Sequence, residues 1–249
     1  MASVAEVIVF VHGVPETGSI WAKVQAEIGR DSIALQMPGF GCGRPAGFAA
    51  TKDAYLEWLL GELARLPGPA DLVGHDWGAL LTYRVATCHG DRLRSWVADV
   101  GNVAHPDYAW HGFAQLWQAP GEGERFVEGQ AAVSVDERAV GLEAMGVPGA
   151  DALEMAAAFD LTMGGCILDL YRSAMPNLHH HWGPWSPSPV PGMVLHVADD
   201  PFGDEAMARE VAATLGARCE RLDGAGHFWP YQAPQAAVGV LTAFWDSLP

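Results

Sequence analysis

Basic residues are scarce in this sequence. Its 249 residues include 14 Lys and Arg against 30 Asp and Glu, which gives a formal net charge of −16 at pH 7. Binding to a phosphate backbone or to an anionic membrane requires clustered Lys and Arg, and no part of the chain has such a cluster. We therefore expect neither nucleic acid nor a membrane as a partner, and we expect a soluble protein with an acidic surface.

Long apolar runs, secretion signals and paired cysteines are lacking as well. No apolar run reaches the roughly 18 residues of a membrane span, and no Lys or Arg precedes the first apolar stretch, as it would in a signal peptide. The four cysteines are widely spaced and lack the C-x-x-C pattern, so we expect free, buried thiols. These absences favour a cytoplasmic protein.

Apolar, β-branched runs alternate with helical patterns along the chain. The first run, residues 7–11, is apolar throughout, which is typical of a strand buried on both faces of a parallel sheet. Further strands are predicted at residues 32–36, 71–73, 93–99, 193–197 and 218–222. Because strands alternate with helices, the pattern predicts an α/β fold on a mostly parallel sheet.

Residues 103–182 interrupt this alternation. They are rich in Trp, Met, Gly and Ala, and they contain helical stretches but no convincing strand. A proline-rich stretch at residues 184–191 follows, as is common at a boundary between structural units. We therefore expect a core of residues 1–102 and 183–249, with residues 103–182 inserted into it as a helical subdomain.

The pentapeptide Gly74-His75-Asp76-Trp77-Gly78 lies between a predicted strand and a predicted helix. This is the place of a nucleophile elbow, in which small residues allow a tight turn that exposes the central side chain. The central residue is Asp76, and a carboxylate attacks an electrophilic carbon to form an ester, which suits alkyl transfer. The alternative is that Asp76 only caps the following helix.

This pentapeptide and the upstream His12-Gly13-Val14-Pro15 together resemble the α/β-hydrolase superfamily, in particular its branch of epoxide hydrolases and haloalkane dehalogenases. The resemblance covers nearly the whole chain. It implies the α/β-hydrolase fold, with residues 103–182 as a helical cap over the pocket, and it implies no cofactor and no metal. Few residues precede the first strand, so we expect a sheet trimmed at one edge to about six strands.

The resemblance also implies a catalytic triad in the order nucleophile, acid, histidine. Asp76 is the expected nucleophile, Asp200 matches the position of the acid, and His227 matches the base that activates water. Asp199, next to Asp200, and Asp99, near the end of its strand, stay open as alternative acids.

Two backbone donors are expected to stabilise the oxyanion that forms when water attacks the ester. The resemblance assigns them to the N–H groups of Val14 and Trp77, whose side chains need not be polar.

In epoxide hydrolases two cap tyrosines donate hydrogen bonds to the ring oxygen. Leu170-Tyr171-Arg172-Ser173 resembles the segment that carries one of them, so Tyr171 is the expected acid. Phe113 stands where the second tyrosine is expected, and His111 and Tyr108 are the nearest polar candidates for its role.

The resulting prediction is a hydrolase that converts a small or medium apolar epoxide to a diol. Its partners are that substrate and water, and it is a monomer or homodimer. Four cap residues are expected to bind the substrate: Trp110, His111, Phe113 and Trp117.

A haloalkane dehalogenase with the same triad is the main alternative, since indole N–H groups such as those of Trp77, Trp110 and Trp117 bind halide in that class. Val14, however, stands where a halide-binding Asn is often found. Hydrolysis of an ester or a carbon–carbon bond, and a non-catalytic protein that binds small apolar ligands, are further alternatives. His179-His180-His181 is not expected to bind a metal, because three consecutive residues cannot all face one ion.

Overall fold

A single sheet of six parallel strands forms the centre of the molecule. The structure, a computed structural model, describes residues 7–182 and 185–248, and the strand order in this part of the chain is β2-β1-β3-β4-β5-β6. The prediction of an α/β fold on a parallel sheet of about six strands is confirmed. The strands are β1 Ile8–Val11, β2 Ser32–Leu35, β3 Ala70–Gly74, β4 Leu93–Ala98, β5 Gly192–Val197 and β6 Arg218–Leu222.

Both faces of the sheet are covered, which explains why β1 is apolar throughout. Val9 and Val11 pack into one buried cluster, whereas Ile8 and Phe10 pack into a second cluster on the opposite face. Successive side chains of a strand point to opposite faces, so only a strand covered on both sides needs an unbroken apolar run. Each fully buried side chain of this size contributes roughly 1.5–3 kcal/mol.

Helices surround the sheet and make up the segment between β4 and β5. We refer to residues 103–182 as the insert. In the described part of the chain the insert contains helices and no strand, while its role as a separate cap stays a prediction. The helices of the core are α1 Ala22–Glu27, α2 Lys52–Ala64, α3 Trp77–Cys88, α10 Glu205–Leu215, α11 Trp229–Gln232 and α12 Pro234–Asp246, and those of the insert are α4 Gly112–Gln118, α5 Glu122–Ala132, α6 Val135–Ala144, α7 Gly149–Ala158, α8 Leu161–Arg172 and α9 Leu178–Trp182.

The cysteines are free, as expected, but not all of them are buried. Cys166 is buried, whereas Cys42 and Cys88 are exposed. The expectation of buried thiols was wrong for these two because Cys42 lies in the turn after β2 and Cys88 is the last residue of α3. Among the described residues, no helix combines the length and the apolar character that crossing a membrane requires.

Candidate active site

The corner between β3 and α3 presents Asp76. β3 ends at Gly74 and α3 begins at Trp77, and Asp76 between them has φ 50° and ψ −120°. A residue other than glycine in such a conformation carries a strain of about 1–3 kcal/mol. The corner is tight, because a Cβ on Gly78 would lie 2.1 Å from the carbonyl oxygen of Val11. The Asp76 side chain makes no capping hydrogen bond to α3, which argues against the alternative of a simple helix cap.

The loop after β1 supplies a hydrogen bond to Asp76. The backbone N–H of Val14 donates to Asp76 Oδ1 at 2.8 Å. His12 holds this loop, because its Nε2 accepts the Met37 N–H at 3.1 Å and its Nδ1 therefore carries the proton and donates to the Gly13 carbonyl at 2.8 Å. Burial lowers the pKa of His12 to about 4, so this ring is neutral. Trp77, the second expected oxyanion donor, makes no backbone hydrogen bond to the Asp76 carboxylate in the described structure.

His227 and Asp200 come from the loops that follow β6 and β5. His227 Nδ1 lies 2.9 Å from Asp200 Oδ2, and its Nε2 lies 3.9 Å from Asp76 Oδ2. Asp200 Oδ1 accepts the Phe202 backbone N–H at 2.8 Å, which orients the carboxylate. Of the three acids considered from the sequence, Asp200 is the one that hydrogen-bonds His227 in this structure, whereas Asp199 is exposed.

Burial and charge set the protonation of the two central groups. Burial raises the pKa of Asp76 to about 6, against the charge of His227 and the hydrogen bond from Val14. Burial also lowers the pKa of His227, but the hydrogen bond and charge of Asp200 outweigh it and raise that pKa above its usual value. At neutral pH most Asp76 side chains are therefore ionised, which is the form in which a carboxylate can act as a nucleophile.

A second buried chain of charges lies behind the elbow. His75 Nδ1 is 2.5 Å from Asp99 Oδ2, and His75 Nε2 is 2.9 Å from Glu16 Oε1. Asp99 Oδ1 accepts the backbone N–H of Asp76 at 2.9 Å, and Asp99 Oδ2 accepts the Trp229 indole N–H at 2.6 Å. Asp99 thus anchors the elbow backbone to the end of β4, whereas the carboxylate that hydrogen-bonds His227 is that of Asp200.

His75 is the positive centre of this chain. Burial lowers the pKa of His75, but the charges of Asp99 and Glu16 outweigh burial and raise it well above its usual value. Glu16, His75 and His227 bring three possible metal-ligand atoms within 4.8 Å of one another. A metal ligand must be an unprotonated nitrogen, whereas His75 faces a carboxylate with each ring nitrogen. The arrangement therefore fits an ion-pair network better than a metal site.

No role was predicted for Glu16 or His75 from the sequence, although His75 lies within the elbow pentapeptide and Glu16 directly follows the His12-Gly13-Val14-Pro15 motif. The signal that indicates them is positional. Glu16 follows β1, His75 follows β3 and Asp99 follows β4, and the carboxyl ends of adjacent parallel strands meet at one edge of the sheet.

A cavity of about 330 Å³ opens onto Asp76, a size within the usual range for small-molecule sites. Its lining is mostly apolar, and the core supplies Asp76 and His227 to it. Of the residues expected from the insert, four line the cavity: His111, Phe113, Trp117 and Tyr171.

Trp110 is not part of this lining. Its ring stacks on that of Trp77, with centroids 6.0 Å apart, and both rings pack edge-on against Tyr171 at 5.3 Å. The structure thus places Trp110 as a support behind Tyr171 and not on the cavity wall, because the preceding loop turns its ring towards α3.

Fold and site together have the arrangement of the α/β-hydrolase fold, with an aspartate at the elbow. The model of the alpha/beta hydrolase family matches residues 8–240, and the chain belongs to this family.

Solved structures show the same fold at low sequence identity. An epoxide hydrolase from Bacillus megaterium is 17% identical, with a TM-score of 0.79, and the match covers 97% of this chain and 94% of the other. A proposed epoxide hydrolase from Pseudomonas aeruginosa is 21% identical, with a TM-score of 0.79 and coverage of 98% and 89%. The thioesterase domain from the curacin biosynthetic pathway is 14% identical, with a TM-score of 0.69 and coverage of 96% and 91%. A comparison with curated proteins finds no match.

Proposed function

We propose that this protein hydrolyses a small or medium apolar epoxide to a diol through an alkyl-enzyme ester on Asp76. One observation carries the proposal. The Asp76 carboxylate is held at the elbow by the Val14 N–H, and its Oδ2 lies 3.9 Å from Nε2 of a histidine that is paired with a second aspartate. A carboxylate nucleophile with a separate base for water suits alkylation followed by ester hydrolysis.

In the first step, Asp76 Oδ2 attacks a ring carbon of the epoxide. The carbon–oxygen bond of the ring breaks, an ester bond to Asp76 forms, and the ring oxygen takes a proton. Tyr171 is the proposed source of this proton. Burial and the charge of Asp76 raise the pKa of Tyr171 well above its usual value, so the phenol is protonated at neutral pH.

His111 is the proposed second donor to the ring oxygen. Its Nδ1 accepts the Ala114 backbone N–H at 3.3 Å, so in the neutral ring the proton is on Nε2. Burial and the charge of His227 lower the pKa of His111 to about 4, which keeps the ring neutral. Tyr108 does not line the cavity and Phe113 has no hydroxyl group, so His111 is the better replacement for the missing tyrosine.

In the second step, His227 takes a proton from water, and the resulting hydroxide attacks the carbonyl carbon of the ester. The backbone N–H of Val14 stabilises the oxyanion on Asp76 Oδ1, and Asp200 stabilises the imidazolium. The bond between Asp76 Cγ and the ester oxygen then breaks, the leaving oxygen takes the proton of the newly added hydroxyl group, the diol leaves and the carboxylate is restored. The proton on His227 returns through solvent to Tyr171.

A haloalkane dehalogenase is the second candidate. The observation in its favour is that the buried indole nitrogens of Trp77 and Trp110 make no well-aligned hydrogen bond within the described residues. Such N–H groups bind an anion well, but neither indole lines the cavity next to Asp76. The epoxide therefore suits the cavity better than a haloalkane does.

A single-turnover reaction in ¹⁸O-labelled water tests the proposal. With enzyme in excess over an apolar epoxide, we expect the label in the Asp76 carboxylate, detected by mass spectrometry of its peptide, and unlabelled diol in the first turnover. Label in the first-turnover diol would contradict the ester. A panel of matched epoxides and haloalkanes, scored for diol and for halide release, separates the two candidate functions.

Gly13→Ala tests the placement of the nucleophile. A Cβ on Gly13 would lie 2.2 Å from Asp76 Oδ1, so the carboxylate must move. Because a displacement of about 1 Å in a reacting group costs about 100-fold in rate, we expect a loss of that size in ester formation, measured by rapid quench. Gly43→Ala is the matched control, since a Cβ there meets nothing within 4 Å. Equal rates in the two variants would contradict the tight contact.

A further inference from the structure

The part of the cavity wall formed by α5, α6 and α7 contains a cation that the chemistry at Asp76 does not use. Helices α5–α7 contribute mainly apolar side chains to the wall, such as Phe126, Leu142 and Met155. The exceptions on these helices are Arg138 on α6 and Gln130 on α5. Both are partly buried.

Backbone carbonyls hold one side of the Arg138 guanidinium. Nε donates to the Ala156 carbonyl at 3.1 Å, and Nη1 donates to the carbonyls of Gln130 and Val133, both at 2.7 Å. These carbonyls lie at the C-terminal ends of α7 and α5, where the helix dipole favours a cation. The contacts fix the orientation of the guanidinium plane, and the Phe159 ring adds a contact at 5.9 Å.

The other side of the guanidinium is unused. Among the described residues, Nη2 of Arg138 donates to no acceptor and no carboxylate lies within 4.0 Å of the side chain. The backbone carbonyl of Gln130 accepts a hydrogen bond from Arg138. The side-chain amide of Gln130 makes no hydrogen bond in the described structure. Two sets of N–H donors on neighbouring residues therefore have no protein acceptor.

The chain has 30 acidic and 14 basic residues. Acids are abundant enough to pair with every cation, yet none is placed beside this one. A partly buried cation against an apolar wall loses hydration, and a partner with negative charge offsets the loss. The wall offers one positive charge with the N–H groups of Nη2, and the Gln130 amide beside it, which together match the charge and the two acceptor oxygens of a carboxylate.

We propose that Arg138 and Gln130 form a carboxylate subsite, so that the preferred substrate is an apolar epoxide whose chain ends in a carboxylate. The epoxide ring reacts at Asp76 while Nη2 of Arg138 and the Gln130 amide hold the carboxylate. The inference rests on the proposed function for the nature of the reacting group. The subsite itself is independent of it, because it requires only the donors on α5 and α6.

Matched substrates test the subsite. For aliphatic terminal epoxides of graded chain length, kcat/KM is measured for the acid and for the primary amide of equal length. We expect a preference for the acid of about 10- to 100-fold at the best length, the usual value of a charge-assisted hydrogen bond. In Arg138→Gln the acid-to-amide ratio falls towards 1, and in Arg138→Lys part of the preference remains. The ratio is internal to each variant and does not depend on the fraction of folded protein.

Arg125→Gln is the matched control. Arg125 lies on α5, forms no ion pair among the described residues and is not part of the cavity wall, so the same loss of charge should leave the acid-to-amide ratio as it is. Equal kcat/KM for acid and amide in the unchanged enzyme would overturn the proposal, as would an equal fall of the ratio in Arg125→Gln and Arg138→Gln.

A binding experiment separates this inference from the proposed function. Calorimetry with saturated alkanoates and alkanamides of the same lengths requires no turnover. Tighter binding of the alkanoate, lost in Arg138→Gln, supports the subsite even if no epoxide is opened. Equal binding of the two ligands overturns the subsite even if epoxides are opened.

Discussion

His227→Gln should stop the enzyme at the ester. Asp76 and its Val14 hydrogen bond are unchanged in this variant, so we expect alkylation to proceed. Water then lacks a base, and the loss of general-base catalysis slows hydrolysis about 10²–10⁴-fold. Intact-protein mass spectrometry should show an adduct equal to the mass of the substrate, and steady-state turnover should fall by the same factor. Gln fits the site because it keeps a polar group towards Asp200.

Two variants control this experiment. Asp76→Asn should give no adduct, which places the ester on that residue. His105→Gln removes another buried histidine, one that pairs with Glu210 at 3.0 Å and does not line the cavity, and its turnover should match that of the unchanged enzyme. Full turnover by His227→Gln, or an adduct on Asp76→Asn, would contradict the mechanism.

Removal of both donors to the ring oxygen should have the second large effect. Tyr171→Phe and His111→Phe each remove one neutral donor that lines the cavity. General-acid assistance contributes about 10²–10⁴-fold, so we expect the double variant to lose that factor in the rate of ester formation. Either single variant should retain part of the rate, because the other donor still reaches the ring oxygen. Rapid-quench measurement of the ester gives these rates directly.

Hydrolysis of an ester already formed should be much less affected by these substitutions, which separates a role in ring opening from general damage to the site. Tyr231→Phe is the control, because Tyr231 is buried and does not line the cavity. An unchanged rate of ester formation in the double variant would show that neither residue takes part in ring opening. A haloalkane needs no proton on its leaving atom, so a loss confined to epoxides would tie both residues to protonation of the ring oxygen.

The sheet and the elbow could be predicted because their signals are local. A strand covered on both faces must be apolar at every position, as β1 is, and a strand that turns into a helix within a few residues needs glycine at the close contacts, as at Gly74 and Gly78. Asp76 therefore stands out in the sequence without any knowledge of its neighbours.

The network behind the elbow could not be predicted in this way. Glu16, His75 and Asp99 are distant in sequence and meet only because β1, β3 and β4 are neighbours in the sheet. The position of Trp110 depends on the course of the loop before α4, which has no periodic pattern. The surroundings of Arg138 depend on where α5 and α7 end, and the termini of helices are poorly marked in sequence.

In the proposed mechanism, the 3.9 Å between His227 Nε2 and Asp76 Oδ2 links the two half-reactions. While Asp76 is ionised, its charge helps to raise the pKa of His227. A smaller fraction of His227 is then neutral and able to act as a base. Ester formation removes that charge, so the pKa of His227 falls and the neutral imidazole becomes more populated. The charge of Asp76 thereby keeps more of His227 protonated until the ester has formed. When the carboxylate is restored, the pKa of His227 rises again.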